Sequence, residues 1–236
     1  MTRNTIVYDS DLNPVIEKAS NDELQWLVDL ITNTYTSTLE NNGVYEANYP
    51  NHTVYADLIA KEICEFGGNT FMNFFRKRGP AYREVVSDVA EKLDASFPSD
   101  ASVEVIENSI ILCILQKYLY SMSYEDKKKL LTELDIDGKE NASSDMEVTA
   151  MIIGCLGSGG VNLLKITAVI FQSLSEITGN KVDIFSKFGL KKIVVGLISP
   201  ISQVVGWGID MAGPAYRVTI PAVVYVSLLR QKQMLN

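Results

Sequence analysis

Histidine is the residue type with the widest catalytic and metal-binding chemistry, and this chain contains one, His52. A catalytic triad, a cysteine–histidine pair or a histidine-based metal site would each have to use it. His52 ends a stretch at residues 33–52 that is rich in Asn, Thr and Tyr, a composition typical of a loop. We therefore expect a solvated loop histidine with no site built around it.

Two groups of carboxylates have spacings that resemble metal sites. Glu62 and Glu65 are three residues apart on a predicted helix, but a di-iron bundle also needs Glu-x-x-His pairs, which a single histidine cannot supply. In the sequence Asp-Ile-Asp-Gly at residues 135–138, the glycine comes three positions after the first acid, whereas a calcium loop places it five positions after. We expect no metal and no other cofactor.

A cluster of glycines at residues 154–160, Gly-Cys-Leu-Gly-Ser-Gly-Gly, resembles a phosphate-binding loop. No Lys-Ser/Thr pair follows it, Lys165 comes too late to reach a phosphate, and no clear strand precedes it. The cluster instead predicts close helix packing or a kinked apolar helix.

The three cysteines, Cys64, Cys113 and Cys155, are an odd number without CxxC spacing, and each has apolar neighbours. This pattern predicts buried free thiols in a reducing compartment and no catalytic cysteine. The first residues contain no apolar signal segment, which predicts a cytoplasmic location. Because no nucleophile–base set, metal cluster or cofactor loop is recognisable, we expect a protein that is not an enzyme.

The net charge of −8 makes a general nucleic-acid binder improbable, since contact with phosphates needs an excess of Lys and Arg. That charge is unevenly distributed. Residues 1–146 carry 25 acidic and 13 basic residues, a net −12, whereas residues 147–236 carry 4 acidic and 8 basic residues, a net +4. Ten of the 15 glycines also lie in the second region. We expect an acidic N-terminal region and an apolar, basic, Gly-rich C-terminal region that together form one continuous fold.

Apolar periodicity predicts an all-α, multi-helix globular bundle. Ser20 and Glu23 have the spacing of a capping box, and an apolar stripe follows them. Further helices are predicted at about residues 53–66, 69–77, 80–93, 103–120 and 124–134.

The C-terminal region contains three long uncharged runs, at residues 148–164, 193–209 and 218–229. Because β-branched residues are frequent in them, a β-strand is an alternative to a helix for residues 192–199 and 218–226. The spacing of Gly and Ser favours helices with small residues at close contacts.

The pentapeptide Gly-Pro-Ala-Tyr-Arg occurs twice, at residues 79–83 and 213–217. One interpretation is two similar helix starts, with proline in the first turn and tyrosine packed beneath it. Another is that the Tyr-Arg pairs form a shared structural or binding corner. The candidate binding residues are those of the repeats together with a glycine pair: Gly67, Gly68, Tyr82, Arg83, Tyr216 and Arg217.

Segments at both ends and in the middle of the chain resemble the YaaW-like family of bacterial proteins. They are residues 8–12 and 20–24, similar to its short leader domain; 65–69, 79–83 and 88–93, similar to its central signature; and 213–223, similar to its C-terminal signature. That family has no assigned function and is loosely grouped with the ubiquinol–cytochrome c chaperones, which assist assembly of a respiratory complex. The resemblance transfers no catalytic residues, and the stretch at 33–52 departs from the simpler members.

Two functions are consistent with these observations. The first is latent membrane association or pore formation, as in colicin-like toxins, with residues 148–171 and 193–209 as an apolar hairpin and Lys181, Lys187, Lys191 and Lys192 facing an anionic leaflet. The second is a soluble protein-interaction or assembly-chaperone module. The expected partners are an unidentified protein and a membrane surface but no nucleic acid, at the cytoplasmic side of the inner membrane.

Overall fold

The computed structural model describes residues 8–34, 37–67, 79–137, 142–157, 160–193 and 216–236. These residues form eleven α-helices, a short 3₁₀ helix at His52–Tyr55 and no β-strand, which confirms the all-α prediction for the described part of the chain. The α-helices are α1 (Asn13–Glu17), α2 (Asn21–Thr32), α3 (Gly43–Asn48), α4 (Ala56–Gly67), α5 (Tyr82–Lys92), α6 (Val103–Ser121), α7 (Tyr124–Glu133), α8 (Asp145–Gly157), α9 (Gly160–Ile177), α10 (Ile184–Lys187) and α11 (Tyr216–Leu235).

Side-chain caps fix where several of these helices begin. The capping box predicted for α2 is present: the Glu23 amide donates to Ser20 Oγ over 3.3 Å, and the Ser20 amide donates to Glu23 Oε2 over 2.8 Å. Ser102 and Ser123 cap α6 and α7 with a single bond each, because each hydroxyl accepts from the amide three residues later. These caps satisfy amide groups that have no partner within the helix, so the start of each helix is set by local sequence.

The core is centred on two buried helices from the C-terminal region, α9 and α11. The ring centroids of Phe171 in α9 and Tyr225 in α11 are 4.6 Å apart. Trp26 of α2 packs against both rings at 4.5 and 5.0 Å, and Phe188 lies 6.2 Å from Tyr225. The acidic and the basic regions of the sequence therefore share one core.

Three local predictions differ from the structure. The stretch at 33–52 is not all loop, because α3 begins within it at Gly43, capped by Asn42. Residues 218–226 are helical in α11, so the strand alternative is wrong there. Pro80 precedes the N-cap Ala81 and does not lie in the first turn of α5. The helix predicted at 69–77, the run at 193–209 and most of 192–199 lie outside the described residues.

The glycine cluster separates α8 from α9. The two helices meet at an angle of 108°, and Gly160 has a φ of +76°, a conformation that strongly favours glycine. A kinked apolar segment was predicted here, and the structure confirms it. None of the described helices is long and apolar enough to span a bilayer by itself, and the only combination that reaches that threshold is α8 with α9 across their bend.

Candidate functional site

The most elaborate polar arrangement in the interior joins α5, α6 and α11. The Tyr82 hydroxyl donates to Glu107 Oε1 over 2.9 Å. Arg230 donates to the same carboxylate twice, from Nε to Oε2 over 2.8 Å and from Nη2 to Oε1 over 3.2 Å. Tyr82 and Glu107 are buried, and we call this set the Tyr82–Glu107–Arg230 network. In this network both oxygens of the buried Glu107 carboxylate accept hydrogen bonds from a guanidinium or a hydroxyl group. A buried charge requires such partners.

The electrostatics of the network reflect its burial. Burial raises the pKa of Glu107, although the hydrogen bonds from Arg230 and Tyr82 oppose this effect. Burial by itself would lower the pKa of Arg230, but the hydrogen bond and charge of Glu107 outweigh it, so the pKa of Arg230 is raised. The pKa of Tyr82 is also raised, first by burial and then by the neighbouring carboxylate. Tyr82 therefore stays a hydrogen-bond donor and Arg230 stays a cation at any physiological pH.

Asp9 connects this network to the start of the described chain. Its Oδ2 accepts from the amide of Tyr82 over 2.8 Å, and its Oδ1 accepts from the amides of Asp11 and Leu12 over 2.9 and 3.0 Å. Arg230 Nη2 also donates to the carbonyl of Asp11 over 2.8 Å. One carboxylate thus caps the first turn of α5 and the turn that leads into α1, where the free amides attract negative charge.

The first Gly-Pro-Ala-Tyr-Arg repeat fixes the surroundings of the network. A Cβ at Gly79 would lie 3.0 Å from the backbone nitrogen of Glu65 near the end of α4, so a side chain there would force the backbone of α4 to shift by a few tenths of an ångström. Arg83 donates to the carbonyls of Ala101 and Ser99 over 2.5 and 3.3 Å, which ties α5 to the segment before α6. Gly67 is the last residue of α4, and Gly68 lies outside the described residues.

The second repeat is described only for Tyr216 and Arg217, the first two residues of α11. The Lys92 ammonium lies 5.7 Å from the centre of the Tyr216 ring, and Arg217 is exposed. Tyr82 is the first residue of α5 and Lys92 is its last, so Tyr82 and Tyr216 lie at opposite ends of α5. The structure therefore does not bring these two Tyr-Arg pairs together into a shared corner.

His52 contradicts the expectation of a solvated loop residue. It is fully buried at the start of the 3₁₀ helix, with Nε2 2.7 Å from Gln25 Oε1 and Nδ1 bonded to the Tyr55 hydroxyl. Its amide donates to Asn21 Oδ1 over 2.5 Å. Burial lowers the pKa of His52, while the charge of Asp29 opposes the change. The expectation was wrong because side chains of α2 replace water around the ring, and composition does not reveal this.

The three cysteines form no disulfide with one another, as predicted, but only one of them is buried. All three are free thiols; Cys64 is buried, and Cys113 and Cys155 are half-buried. Burial raises the pKa of Cys64 to about 12, and burial is also the main cause that raises the pKa of Cys113 and Cys155. None is therefore a thiolate at neutral pH. Among the described residues, no group of three or more His, Cys, Asp and Glu side chains could hold a metal ion.

Sequence reasoning missed Asp9, Glu107 and Arg230 as members of this site. A signal was present: Glu107 directly precedes the uncharged stretch at 108–116, and Arg230 directly follows the uncharged run at 218–229. A charge at the edge of each of two apolar helices indicates a buried ion pair, but the spacing along the chain cannot say that the two helices are neighbours.

The fold and the network together define the class: an all-α bundle whose C-terminal helix is held to its acidic helices by a buried tyrosine–carboxylate–arginine network. The chain is 27% identical over 234 residues to a UPF0174 protein of Helicobacter pylori strain J99, covering 95% of this chain and 92% of the relative. It is 26% identical over 235 residues to the UPF0174 protein YaaW of Escherichia coli K12, covering 94% of each. The chain is thus similar over nearly its whole length to UPF0174 proteins, including YaaW, which confirms the YaaW-like resemblance that its sequence motifs predicted. No family model and no solved structure matches it significantly.

Proposed function

We propose that this protein is a non-enzymatic helical protein that associates with anionic membrane surfaces through its C-terminal apolar helices. The observation that carries the proposal is the outer face of α8. Met146 is 79% exposed, Ala150 and Gly154 are exposed, and Val161 just beyond the bend is 52% exposed. The chain has no charged residue from 148 to 164.

The spacing of the exposed residues of α8 places them on one side of the helix. Met146, Ala150 and Gly154 are separated by four residues each, so they lie along the same side of α8. A helix that binds at a membrane interface buries such a side among the headgroups and acyl chains. An exposed apolar side supports contact with lipid. The nearest charged residues are the exposed Asp145 and Glu147, which flank Met146 in the first turn of α8.

The basic residues divide into two groups. Lys181, Lys191 and Lys192 are exposed and can attract anionic headgroups. Lys187 instead lies 3.4 Å from Asp22 and donates to its backbone carbonyl over 2.7 Å, so it serves the fold. Lys181, Lys191 and Lys192 follow the C-terminal end of α9, whereas α8 lies next to the N-terminal end of α9. An 18-residue helix separates these ends by about 27 Å, so α8 and the lysines would be separate contacts with one membrane.

Insertion in the manner of a colicin-like toxin would be a second stage. Helix α9 would have to leave the rings of Trp26 and Tyr225, and α11 would have to break the Arg230–Glu107 pair. The second arm of the predicted hairpin, at 193–209, lies outside the described residues. The proposal therefore assigns surface association to the folded protein and makes deeper insertion depend on opening of this core.

The lack of catalysis is part of the same proposal. The two side chains most suited to nucleophilic catalysis, His52 and Cys64, are both buried, and both nitrogens of His52 are bonded to Gln25 and Tyr55. Burial raises the pKa of Cys64 to about 12, so at neutral pH it lacks the thiolate that a cysteine nucleophile needs.

Flotation with liposomes containing anionic lipid, from pH 4 to pH 8 and combined with dye release, tests the proposal. We expect the protein to float with these vesicles and the double variant M146E/V161E to lose most of this binding. Val105→Glu is the matched control, because Val105 is an exposed apolar residue on α6 that is 43% accessible. Absence of flotation at every pH, or equal loss in the control, would reject the proposal.

A protein-interaction or assembly-chaperone module is the second candidate. The observation in its favour is that α9 and α11 are buried and that α11 is tied to the acidic helices by Arg230–Glu107 and Lys232–Glu23 ion pairs. The test is purification without membranes: a monodisperse species that retains one reproducible partner, together with failed flotation, would select this function. If pull-downs from native cells recover nothing reproducible, this candidate fails.

A further inference from the structure

A second surface, around α3, differs from the outer face of α8 because it combines tyrosine rings with carboxylates. Within eleven residues it exposes three large apolar side chains: Val44 is 47% exposed, Tyr49 is 53% exposed and Val54 is 49% exposed. Tyr45 lies one helical turn before Tyr49, and their ring centroids are 5.4 Å apart. We call Tyr45 and Tyr49, with the adjacent Glu40 and Glu46, the tyrosine face.

The rings of this surface are held in place from below. Tyr45 packs edge-on against buried Tyr55 at 5.4 Å, and Tyr49 packs edge-on against buried His52 at 5.8 Å. The segment that carries Tyr49 is tied to α2, because Asn21 donates to the carbonyl of Pro50 over 2.9 Å. Buried His52 and Tyr55 thus support the two rings, of which Tyr49 is exposed and Tyr45 is half-buried, and these contacts hold the rings in place without a partner.

The charge around this surface has one sign. Between Lys18 and Lys61 the chain has six carboxylates and no Lys or Arg. Of these six, Asp22 and Glu23 are paired with Lys187 and Lys232. Within the described residues, Glu40 and Glu46 make no ion pair. Burial raises the pKa of Tyr45, and the neighbouring Glu40, Tyr49 and Asp29 raise it further.

Aromatic faces beside carboxylates are the chemistry that recognises arginine. A guanidinium stacks on a tyrosine ring and pairs with a carboxylate at the same time, whereas an anionic lipid would be repelled. We propose that the tyrosine face is a docking surface for an arginine-rich segment of a partner protein. This surface is independent of the membrane contact proposed for α8, since it differs from α8 in place and in charge.

Fluorescence anisotropy with a labelled octa-arginine peptide tests the proposal on the full chain. We expect Tyr49→Ala and Tyr49→Leu each to weaken binding by about two- to fivefold, the effect of one exposed cation–π contact. Glu46→Gln should weaken it by about twofold, the effect of one exposed ion pair. Octa-lysine should bind less tightly than octa-arginine, because an ammonium does not stack on the ring.

Matched controls separate this surface from general attraction to a protein of net charge −8. Tyr120→Ala removes a tyrosine that is 93% exposed at the end of α6, and Glu125→Gln removes an exposed carboxylate on α7. Both controls should bind like the unaltered protein. Equal weakening in controls and test variants, or none in either, would overturn the proposal. So would sedimentation that shows a dimer dissociated by Tyr49→Ala, since a second copy would then cover the face.

Discussion

Two helices from the same apolar, basic region, α8 and α11, have opposite places in the molecule. Helix α11 is buried over most of its length and ends in the Tyr82–Glu107–Arg230 network, with Tyr225 donating to the carbonyl of Glu23 over 2.7 Å. Helix α8 has an exposed apolar side, and its Asp145 forms an ion pair with Lys127 of α7.

The difference shows that apolar composition does not decide whether a helix is core or surface. Both helices are uncharged through their centres, but α11 ends in Arg230 and Lys232, which reach Glu107 and Glu23 on other helices. Helix α8 begins with Asp145 and Glu147, of which Glu147 turns back to the amides of Ser143 and Ser144. Ion pairs with distant segments fix α11 inside the fold, whereas the first turn of α8 is held by the neighbouring α7 through Lys127–Asp145 and by local caps.

Removal of Arg230 should have the largest effect on stability. Arg230→Ala leaves Glu107 buried without a cation, so we expect the free energy of unfolding to fall by about 3–5 kcal/mol. Urea denaturation measures this loss. Arg217→Ala, at the exposed start of the same helix, is the control and should change stability by less than about 1 kcal/mol. Similar losses in both variants would show that the stability of α11 does not depend on the buried Glu107–Arg230 pair.

Removal of the ion pair of α8 should have a smaller and local effect. Lys127 Nζ lies 2.8 Å from both carboxylate oxygens of Asp145, and Asp145 is exposed. We expect Lys127→Ala to cost about 1 kcal/mol and to speed amide hydrogen exchange in α8 but not in α11. Lys129→Ala, which removes an exposed pair with Asp126, is the control and should leave exchange unchanged. Faster exchange throughout the chain would show that α8 is part of the central cooperative unit.

Acid should weaken the hold on α11 through Glu23. Burial alone would raise the pKa of Glu23, but hydrogen bonds from Lys232 and Ser20 outweigh it, so the pKa lies below its ordinary value of 4.5. A carboxyl with a lowered pKa contributes stability above pH 4.5 that is lost as pH falls through the lower, folded-state value. In this pH window the variant Glu23→Gln should lose less stability than the unaltered protein. The difference in the free energy of unfolding, measured by thermal unfolding, should be less than about 1 kcal/mol. Glu17→Gln, on exposed Glu17, should not alter the slope.

The smallest expected effect is on the outer face of α8. Met146 is exposed, so Met146→Ser should change the free energy of unfolding by no more than about 0.5 kcal/mol, while liposome binding weakens. Thermal unfolding and flotation on the same sample separate the two effects. A large loss of stability would mean that this residue packs against the fold and is not available to a membrane.

Much of the fold could be predicted from local sequence signals. The capping box at Ser20 and the break at the glycine cluster are set by neighbours within a few positions, and the sequence shows those neighbours. The site was harder to predict. The Glu107–Arg230 pair joins residues 123 positions apart, and His52 is buried by Gln25 at 27 positions. Such contacts depend on which helices become neighbours, and periodicity along one helix contains no information about that.

The place of α11 in the chain has a consequence for how the protein is made. Helix α11 follows every described helix that it binds, yet Tyr225 fills the space between Trp26 and Phe171, and Arg230 neutralises Glu107. Until α11 is translated, Trp26, Phe171 and Glu107 lack these contacts. We therefore expect the core to close only after α11 has been made, and the incomplete chain to be more prone to aggregation until then.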